Sequence, residues 1–222
     1  MSERDEALKK IKDEVIALES SPLYAERVKN KYFPVIGEGN HSAEIIFIGE
    51  APGENEAKTG RPFCGRAGKV LDELLTSVGI ERKDVYVTNI VKDRPPGNRD
   101  PFPDEIAIYA PFLDRQIEII KPKVVATLGR FSMQYVMNRY GLEWELDSIS
   151  KLHGKVFDIN FSAEGGPPPS PGFGRAGEFG FLFFVSCPIR RGSCEVSFLF
   201  LNSRKILEIF AIGWTVPTSL LT

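Results

Sequence analysis

Two loops of the chain concentrate the residue types that could bind a ligand or act on it chemically. The first runs from Gly49 to Glu56 (GEAPGENE) and continues to Gly68, and the second runs from Lys92 to Arg99 (KDRPPGNR). The glycines of the first loop could let a ligand approach the backbone, or they could simply form tight turns. The alternative for the second loop is a proline-stiffened connection whose charges are solvated.

Each loop follows a short segment with the pattern of a buried strand. These segments are Ala43–Ile48 (AEIIFI) and Asp84–Val91 (DVYVTNIV), and a third, Lys123–Leu128 (KVVATL), ends at Gly129. Apolar residues at helical spacing predict helices over residues 1–18, 69–78, 104–120 and 132–139, and residues 20–40 are predicted to be mostly loop. The repeated order strand, loop, helix predicts a parallel sheet flanked by helices, with function at the carboxyl ends of the strands.

The composition is that of an ordinary soluble protein. The 222 residues include 28 Lys plus Arg and 30 Asp plus Glu, so a basic wrapper of nucleic acid is excluded and any such contact needs a local patch. Three cysteines are too few for a disulfide scaffold, the charged N-terminus is unlike a signal peptide, and no apolar run is long enough for a membrane span. We therefore expect a cytoplasmic protein with no membrane partner.

Three segments closely resemble the family 4 uracil-DNA glycosylases in order and spacing. They are GEAPGENEAKTGRPFCGRAG, VYVTNIVKDRPPGNRDPFPDEI and KPKVVATLG, and the resemblance runs from about Pro22 to about Lys155. It implies one uracil-DNA glycosylase-like domain over residues 1–222, a three-layer α/β/α sandwich with a central, mostly parallel, four-stranded sheet. It also implies an enzyme of base excision repair that flips uracil out of single- or double-stranded DNA and hydrolyses its N-glycosidic bond. A monomer is the expected state.

The resemblance implies that Phe63 and Asn89 bind the base. Phe63 offers a flat apolar face for stacking, although ordinary core packing would also explain it. Asn89 carries a donor and an acceptor that match uracil O4 and N3, whereas cytosine inverts that pattern and would leave polar groups unpaired. A turn asparagine with satisfied hydrogen bonds is the alternative for Asn89.

The same resemblance also assigns roles in the reaction to residues of both loops. Glu50 and Glu56 would line the pocket and position water, and Glu56 would crowd the C5 position where thymine carries a methyl group. Gly49 belongs to the uracil-binding motif, and the backbone amides of Glu50 and Ala51 would face uracil O2. Asn98 matches a position at the reaction centre. Either glutamate could instead cap the following helix.

Five basic residues of the two loops form a candidate patch for DNA phosphates. They are Arg61, Arg66, Lys92, Arg94 and Arg99. Surface solvation would explain any one of them, but their number around one proposed pocket favours DNA.

The chain departs from the family at two places. Most family 4 enzymes hold a 4Fe-4S cluster on four cysteines, and the matching positions here are Leu18, Ser21, Asp93 and Tyr109. None of these supplies a thiolate, so we predict no cluster, no other cofactor and no metal, with apolar or hydrogen-bonded packing at that place. The family also uses a histidine from a C-terminal His-Pro motif, but the two histidines of this chain, His41 and His153, are not followed by proline. We expect His153 to be structural.

The C-terminal segment 161–222 differs in character from the rest. Only 9 of its 62 residues are charged, against 49 of the first 160, and it holds nine of the sixteen phenylalanines. Codons that encode Cys187 to Gly192 permit Leu-Pro-His-Pro-Ala-Gly when they are read one base earlier. We therefore hypothesise a frameshift between about Asn160 and Ser186; a divergent but genuine C-terminus is the alternative. The stretch 165–174 is predicted to be a loop, and Phe179–Val185 either a terminal strand or an aggregation hazard.

Two rival functions follow from these departures. The first is a uracil-DNA-binding protein with impaired or no activity, since the expected histidine is missing. The second is a phosphate-binding module that uses the glycine-rich loop at a helix N-terminus. It leaves Phe63, Asn89 and the PPGNR sequence unexplained.

Overall fold

A parallel β-sheet forms the centre of the computed structural model, which describes residues 2–160 and 179–185. Its four central strands are parallel, and a short antiparallel strand is added at each edge, in the order β1-β3-β2-β4-β6-β5. The strands are β1 Glu38–Gly39, β2 Ile45–Gly49, β3 Tyr86–Asn89, β4 Val124–Leu128, β5 Val156–Asn160 and β6 Phe179–Val185. The mostly parallel α/β class predicted from the sequence is confirmed.

Helices cover both faces of this sheet. They are α1 Glu3–Ile16, α2 Tyr24–Asn30, α3 Glu54–Thr59, α4 Arg66–Ser77, α5 Pro103–Ile120, α6 Arg130–Arg139 and α7 Ile149–Leu152. Alternate residues of β2 pack into two different cores, as the two-residue period of a strand requires. Ile46 and Ile48 pack with apolar side chains of α1, α5 and α6, whereas Ile45 and Phe47 pack with those of α4. The sheet is therefore the middle of three layers.

The helices and strands predicted from apolar periodicity are confirmed within a few residues at their ends. The prediction of loop over residues 20–40 is wrong where α2 lies, Tyr24–Asn30. This helix lacks an apolar stripe because the side chain that it buries is the guanidinium of Arg27. The segment Phe179–Val185 is a strand, paired with β4 on one side and β5 on the other. The expected loop at 165–174 and the SCPIRRGSCE sequence lie outside the described residues.

A buried polar cluster joins α1, α2, α5 and the segment after β3. At its centre, Nη1 of Arg27 lies 3.2 and 3.1 Å from the two carboxylate oxygens of Asp93, and the Tyr109 hydroxyl donates to Asp93 at 2.6 Å. Ser21 Oγ is 2.7 Å from that hydroxyl. Arg27 also donates to the carbonyl oxygens of the last two residues of α1, at 2.9 and 2.6 Å. Burial raises the pKa of Asp93, and the hydrogen bonds from Tyr109 and Arg27 oppose that rise.

We predict that Arg27→Met destabilises the protein by about 3–5 kcal/mol, because Asp93 is then left buried without its counter-charge. The free energy of unfolding in urea measures this loss. The matched control is Arg115→Met, which removes a partly exposed ion pair between Arg115 and Glu14 and is expected to cost less than about 1 kcal/mol. Equal losses in the two variants would contradict the assignment of Arg27 as the counter-ion of a buried carboxylate.

Candidate functional site

The two loops begin side by side because their strands end in register. Gly49, the last residue of β2, is paired with Asn89, the last residue of β3. The pairing continues beyond the strands, since the amide of Ile90 donates to the Gly49 carbonyl at 3.0 Å and that of Val91 to the Glu50 carbonyl at 3.1 Å. Both loops therefore leave from the carboxyl edge of the parallel sheet, where α/β proteins bind ligands.

Gly49 leaves a gap that Asn89 and Phe63 border. A Cβ atom at position 49 would lie 2.3 Å from Asn89 Oδ1 and 2.6 Å from Phe63 Cζ, closer than such atoms approach. Only glycine fits between the amide and the aromatic ring. Asn89 and Phe63, which are 40 and 14 residues from Gly49 in the sequence, therefore both border this gap.

The backbone of Phe63 is held in an unusual conformation. Its φ is +50°, in the left-handed region that residues with a side chain rarely adopt. A Cβ at Gly68 would lie 1.6 Å from the Phe63 carbonyl oxygen, so the loop packs directly against the first turn of α4. The ring is half-buried and packs against the α4 core, while its Cζ edge faces Gly49. Phe63 therefore both packs against the core and borders the gap, and strain of this kind gathers at functional sites.

Asn89 is the buried polar group of the gap. It is only 2% exposed, and among the described residues its side-chain amide has no hydrogen-bond partner. Its backbone carbonyl, in contrast, accepts a hydrogen bond from Lys92 Nζ at 2.6 Å. Neither Oδ1 nor Nδ2 of Asn89 is fully shut off from solvent, so a ligand or water that enters the gap can complete their hydrogen bonds. No described residue supplies side-chain hydrogen bonds of the kind that the alternative, a satisfied turn asparagine, requires.

Glu50 carries a carboxyl group whose charge changes near neutral pH. Its pKa is raised to about 7, chiefly by burial and also by the nearby carboxylate of Asp100, while Arg130 acts in the opposite direction. Arg130 Nη2 in turn lies 3.0 Å from Asp100 Oδ2. A half-buried carboxyl with such a pKa is a candidate for acid or base chemistry.

Glu56 lies in α3 and joins two parts of the first loop. Its Oε1 accepts a hydrogen bond at 3.0 Å from the backbone amide of Gly65, the residue that precedes α4. Its Oε2 lies close to Gly53, since a Cβ atom at position 53 would be only 2.6 Å from this oxygen. This bond fixes the backbone at the residue before α4, but no side chain caps the amides of the first turn of α4.

The second loop is held to the first by Arg94. Its guanidinium donates to Asn98 Oδ1 at 2.7 Å, to the Tyr32 hydroxyl at 2.7 Å and to Glu54 Oε2 at 3.3 Å. Asn98 has φ +54° and follows Gly97 with φ +64°, so the PPGNR turn is tight as well as tethered. Arg94 therefore positions the loop that carries Asn98.

The predicted basic patch is only partly present at the surface. Arg61 and Arg66 are exposed, and Arg61 pairs with Glu38 at 2.8 Å. Arg99 is half-buried and makes two hydrogen bonds to Glu105, at 2.8 and 2.6 Å. The prediction that Lys92 contacts DNA is wrong for this structure.

Lys92 is fully buried because its ammonium end is enclosed by polar atoms of the β3 end and α5. The side chain is 0% exposed, and its Nζ bonds to Thr88, Asn89 and Gln116. A phosphate could not reach it without disrupting these contacts.

The described residues offer no site for a metal ion. Within 2–160 and 179–185, no group of three or more His, Cys, Asp or Glu side chains could hold one. The four positions that the resemblance matches to cluster ligands do not fit an iron-sulfur cluster, because they offer no thiolate and three of them, Ser21, Asp93 and Tyr109, form the polar cluster with Arg27. In the part of the chain described, no helix is long and apolar enough to cross a membrane.

His41 lies at the opposite end of the sheet from the gap. Its Nδ1 is 2.6 Å from Asp5 of α1, and its ring contacts that of Tyr86, the first residue of β3. Burial lowers the pKa of His153 below its usual range.

Sequence reasoning missed Asp100, Arg130 and Tyr32. Arg130 directly follows the strand β4 and Gly129, so the rule that function gathers at strand ends could have found it. Tyr32 and Asp100 carry no comparable signal, because their roles depend on contacts with distant residues.

Comparisons with known proteins agree with this arrangement. Residues 36–186 match the model of the uracil DNA glycosylase superfamily. The chain is 49% identical over 153 residues to a type-4 uracil-DNA glycosylase of Sulfurisphaera tokodaii, covering 68% of this chain and 67% of the relative. It is 45% identical over 154 residues to that of Archaeoglobus fulgidus (69% and 74%) and 43% over 158 residues to that of Thermotoga maritima (71% and 78%).

We predict that Glu50→Gln changes how stability depends on pH. The pKa of Glu50 rises from 4.5 to about 7 on folding, so between these values the folded protein holds a proton that the unfolded chain releases. The wild type should therefore lose about 1–2 kcal/mol as the pH rises through this window, less than the full shift would give because solvent screens the partly exposed carboxyl, and the variant should not show this loss. Urea unfolding at pH 5 and pH 8 measures it, with exposed Glu145→Gln as the control. Identical pH dependence in wild type and Glu50→Gln would refute the burial of an ionisable Glu50.

Proposed function

The chain belongs to the uracil DNA glycosylase superfamily, and from this premise we propose that it removes uracil from DNA by hydrolysing the N-glycosidic bond. The product is an abasic site, with which base excision repair begins. The observation that carries the proposal is the side-chain amide of Asn89, which has no hydrogen-bond partner among the described residues and borders the same gap as Gly49 and Phe63.

The gap between Phe63 and Asn89 is suited to a flipped pyrimidine. The base would stack on the Phe63 ring, and the Asn89 amide would donate to O4 and accept from N3. Cytosine presents the opposite pattern at these two atoms. It would leave both groups of Asn89 unpaired in a buried site, and that kind of mismatch discriminates strongly.

Bond cleavage leaves positive charge on the sugar and negative charge on the base. Glu50, ionised above about pH 7, would stabilise the sugar and orient water together with Asn98. The backbone amides of Glu50 and Ala51, beside Gly49, would face uracil O2. Glu56 would limit the space at C5, which its hydrogen bond to the Gly65 amide supports by fixing the carboxylate.

DNA would be held by the basic side chains around the gap that reach the surface. The candidates are Arg61, Arg66 and Arg99. Arg61 pairs with Glu38 and Arg99 with Glu105, and each arginine can exchange its salt bridge for a phosphate or bind a phosphate with the part of the guanidinium that remains free. Arg94 is expected to act indirectly, through the position of Asn98. The partner is uracil-containing DNA, bound by a cytoplasmic monomer.

We further propose that the protein works without an iron-sulfur cluster or another cofactor. The polar cluster of Ser21, Arg27, Asp93 and Tyr109 supports this, because it contains three of the four positions matched to cluster ligands and joins them by hydrogen bonds. The single domain would extend over residues 1–222. Its segment 161–222 is proposed to be either frameshifted or divergent, and the coding DNA around Asn160 to Ser186 distinguishes the two.

An assay with alkali tests the proposed function. The purified protein is incubated with single- and double-stranded oligonucleotides that carry one uracil, and alkali then breaks the strand at any abasic site. Breaks at uracil are expected. Binding without breaks would instead support the uracil-binding protein without activity, and the absence of both would remove the proposal.

We predict that Asn89→Asp weakens the discrimination of uracil from cytosine, because the carboxylate has no donor for O4. The ratio of excision rates on the two bases should fall by about 10²-fold or more, mainly through loss of the uracil rate. Asn138→Asp, an exposed change on α6, is the control. An unchanged ratio in Asn89→Asp would remove Asn89 from base recognition.

A further inference from the structure

A second polar group lies buried directly behind Asn89. Lys92, Thr88 and Gln116 are each 0% exposed, and Lys92 Nζ is at their centre. It lies 2.8 Å from Thr88 Oγ1, 2.6 Å from the Asn89 carbonyl and 2.6 Å from Gln116 Oε1. The base-recognition role proposed for Asn89 does not account for these contacts.

The three atoms around Nζ are all hydrogen-bond acceptors. The Thr88 hydroxyl gives its one proton to the Ile36 carbonyl, at 2.6 Å, so its oxygen accepts from Lys92. Gln116 uses its Nε2 as donor to the Ile36 carbonyl at 2.9 Å and to the Tyr86 hydroxyl at 3.1 Å, so its Oε1 faces Lys92 as an acceptor. Three acceptors match the three protons of an ammonium group, whereas a neutral amine would leave one of them without a donor.

This ammonium has no carboxylate partner. Within the described residues, no Asp or Glu oxygen lies within the 4.0 Å of an ion pair with Nζ. Burial lowers the pKa of Lys92 well below its usual range because the charged form has no counter-ion there, and the three acceptors around Nζ oppose that fall by favouring the ammonium. Such a charge is stabilised by any negative charge that forms nearby, and it stabilises that charge in return.

We propose that Lys92 is a preorganised positive charge behind the pocket, and that it stabilises the negative charge that develops on the departing uracil. This inference rests on the proposed glycosylase activity. The departing base gains its charge beside the Asn89 side chain, and the backbone carbonyl of the same residue accepts a hydrogen bond from Lys92 at 2.6 Å. The interaction strengthens only as the bond breaks, and interactions of that kind accelerate the chemical step.

The dependence of the rate on the leaving group separates this role from a structural one. Fluorine at C5 is close to hydrogen in size but withdraws electrons, so the 5-fluorouracil anion needs less stabilisation than the uracil anion. We expect Lys92→Met to slow single-turnover excision of uracil by about 10²-fold and that of 5-fluorouracil by at most about tenfold. Because both rates come from one preparation, a misfolded fraction lowers them equally and cancels in their ratio.

Two further variants complete the experiment. Leu113→Ala damages the core at a fully buried position on α5 without altering the charge, so its ratio of the two rates should equal that of the wild type. Gln116→Met removes one acceptor of the ammonium, and its ratio should shift in the same direction as in Lys92→Met but less. This variant decides the question if circular dichroism finds Lys92→Met unfolded.

The outcomes distinguish the two proposals. A wild type that releases neither base would defeat the proposed function itself. An active wild type whose ratio is unchanged in Lys92→Met, or in Gln116→Met where the first variant does not fold, would overturn the role of Lys92 alone.

Discussion

The parallel register that pairs Gly49 with Asn89 sets the distance between the two functional loops. Two more backbone hydrogen bonds, from Ile90 and Val91, carry the pairing past the ends of the strands and into the loops. Everything proposed for the site depends on this constraint, because the room between Asn89 and Phe63 exists only where a residue without Cβ passes between them. A slip of β3 by one residue would turn the Asn89 side chain to the opposite face of the sheet, away from Phe63.

Two consecutive residues after β3, Lys92 and Asp93, bury their charged groups in different surroundings. Asp93 points into a cluster in which Arg27 and Tyr109 satisfy both of its oxygens. Lys92 points to the other side, where its neighbours are neutral acceptors. The pair of Arg27 and Asp93 stabilises one arrangement of the helices. The Lys92 ammonium has no counter-ion among the described residues, and its proposed role is to interact with the base that leaves from the pocket.

Much of the fold could be predicted from the sequence, because β2, β3 and β4 are short apolar or β-branched runs and α5 has a clear apolar face. Helix α2 could not be predicted from apolar spacing, because the residue that it buries is an arginine. The meeting of Gly49, Phe63 and Asn89 was predictable from strand ends and from the resemblance. The burial of Lys92 was not, because a lysine in a basic loop is usually solvated and only the acceptors of Thr88 and Gln116, four residues before it and 24 residues after it, make burial tolerable. The roles of Glu50, Glu56 and Asn98 in the reaction stay predictions.

The cluster around Asp93 also bears on how the protein matures in the cell. Every group that joins α1, α2, α5 and the segment after β3 is an amino-acid side chain of this chain, or its backbone. If the protein works without a cluster, as proposed, the assembly of this joint needs no delivered component and is complete as soon as the chain has folded. Its formation would then be independent of the supply of iron and sulfide, and oxidants would find no metal there to remove.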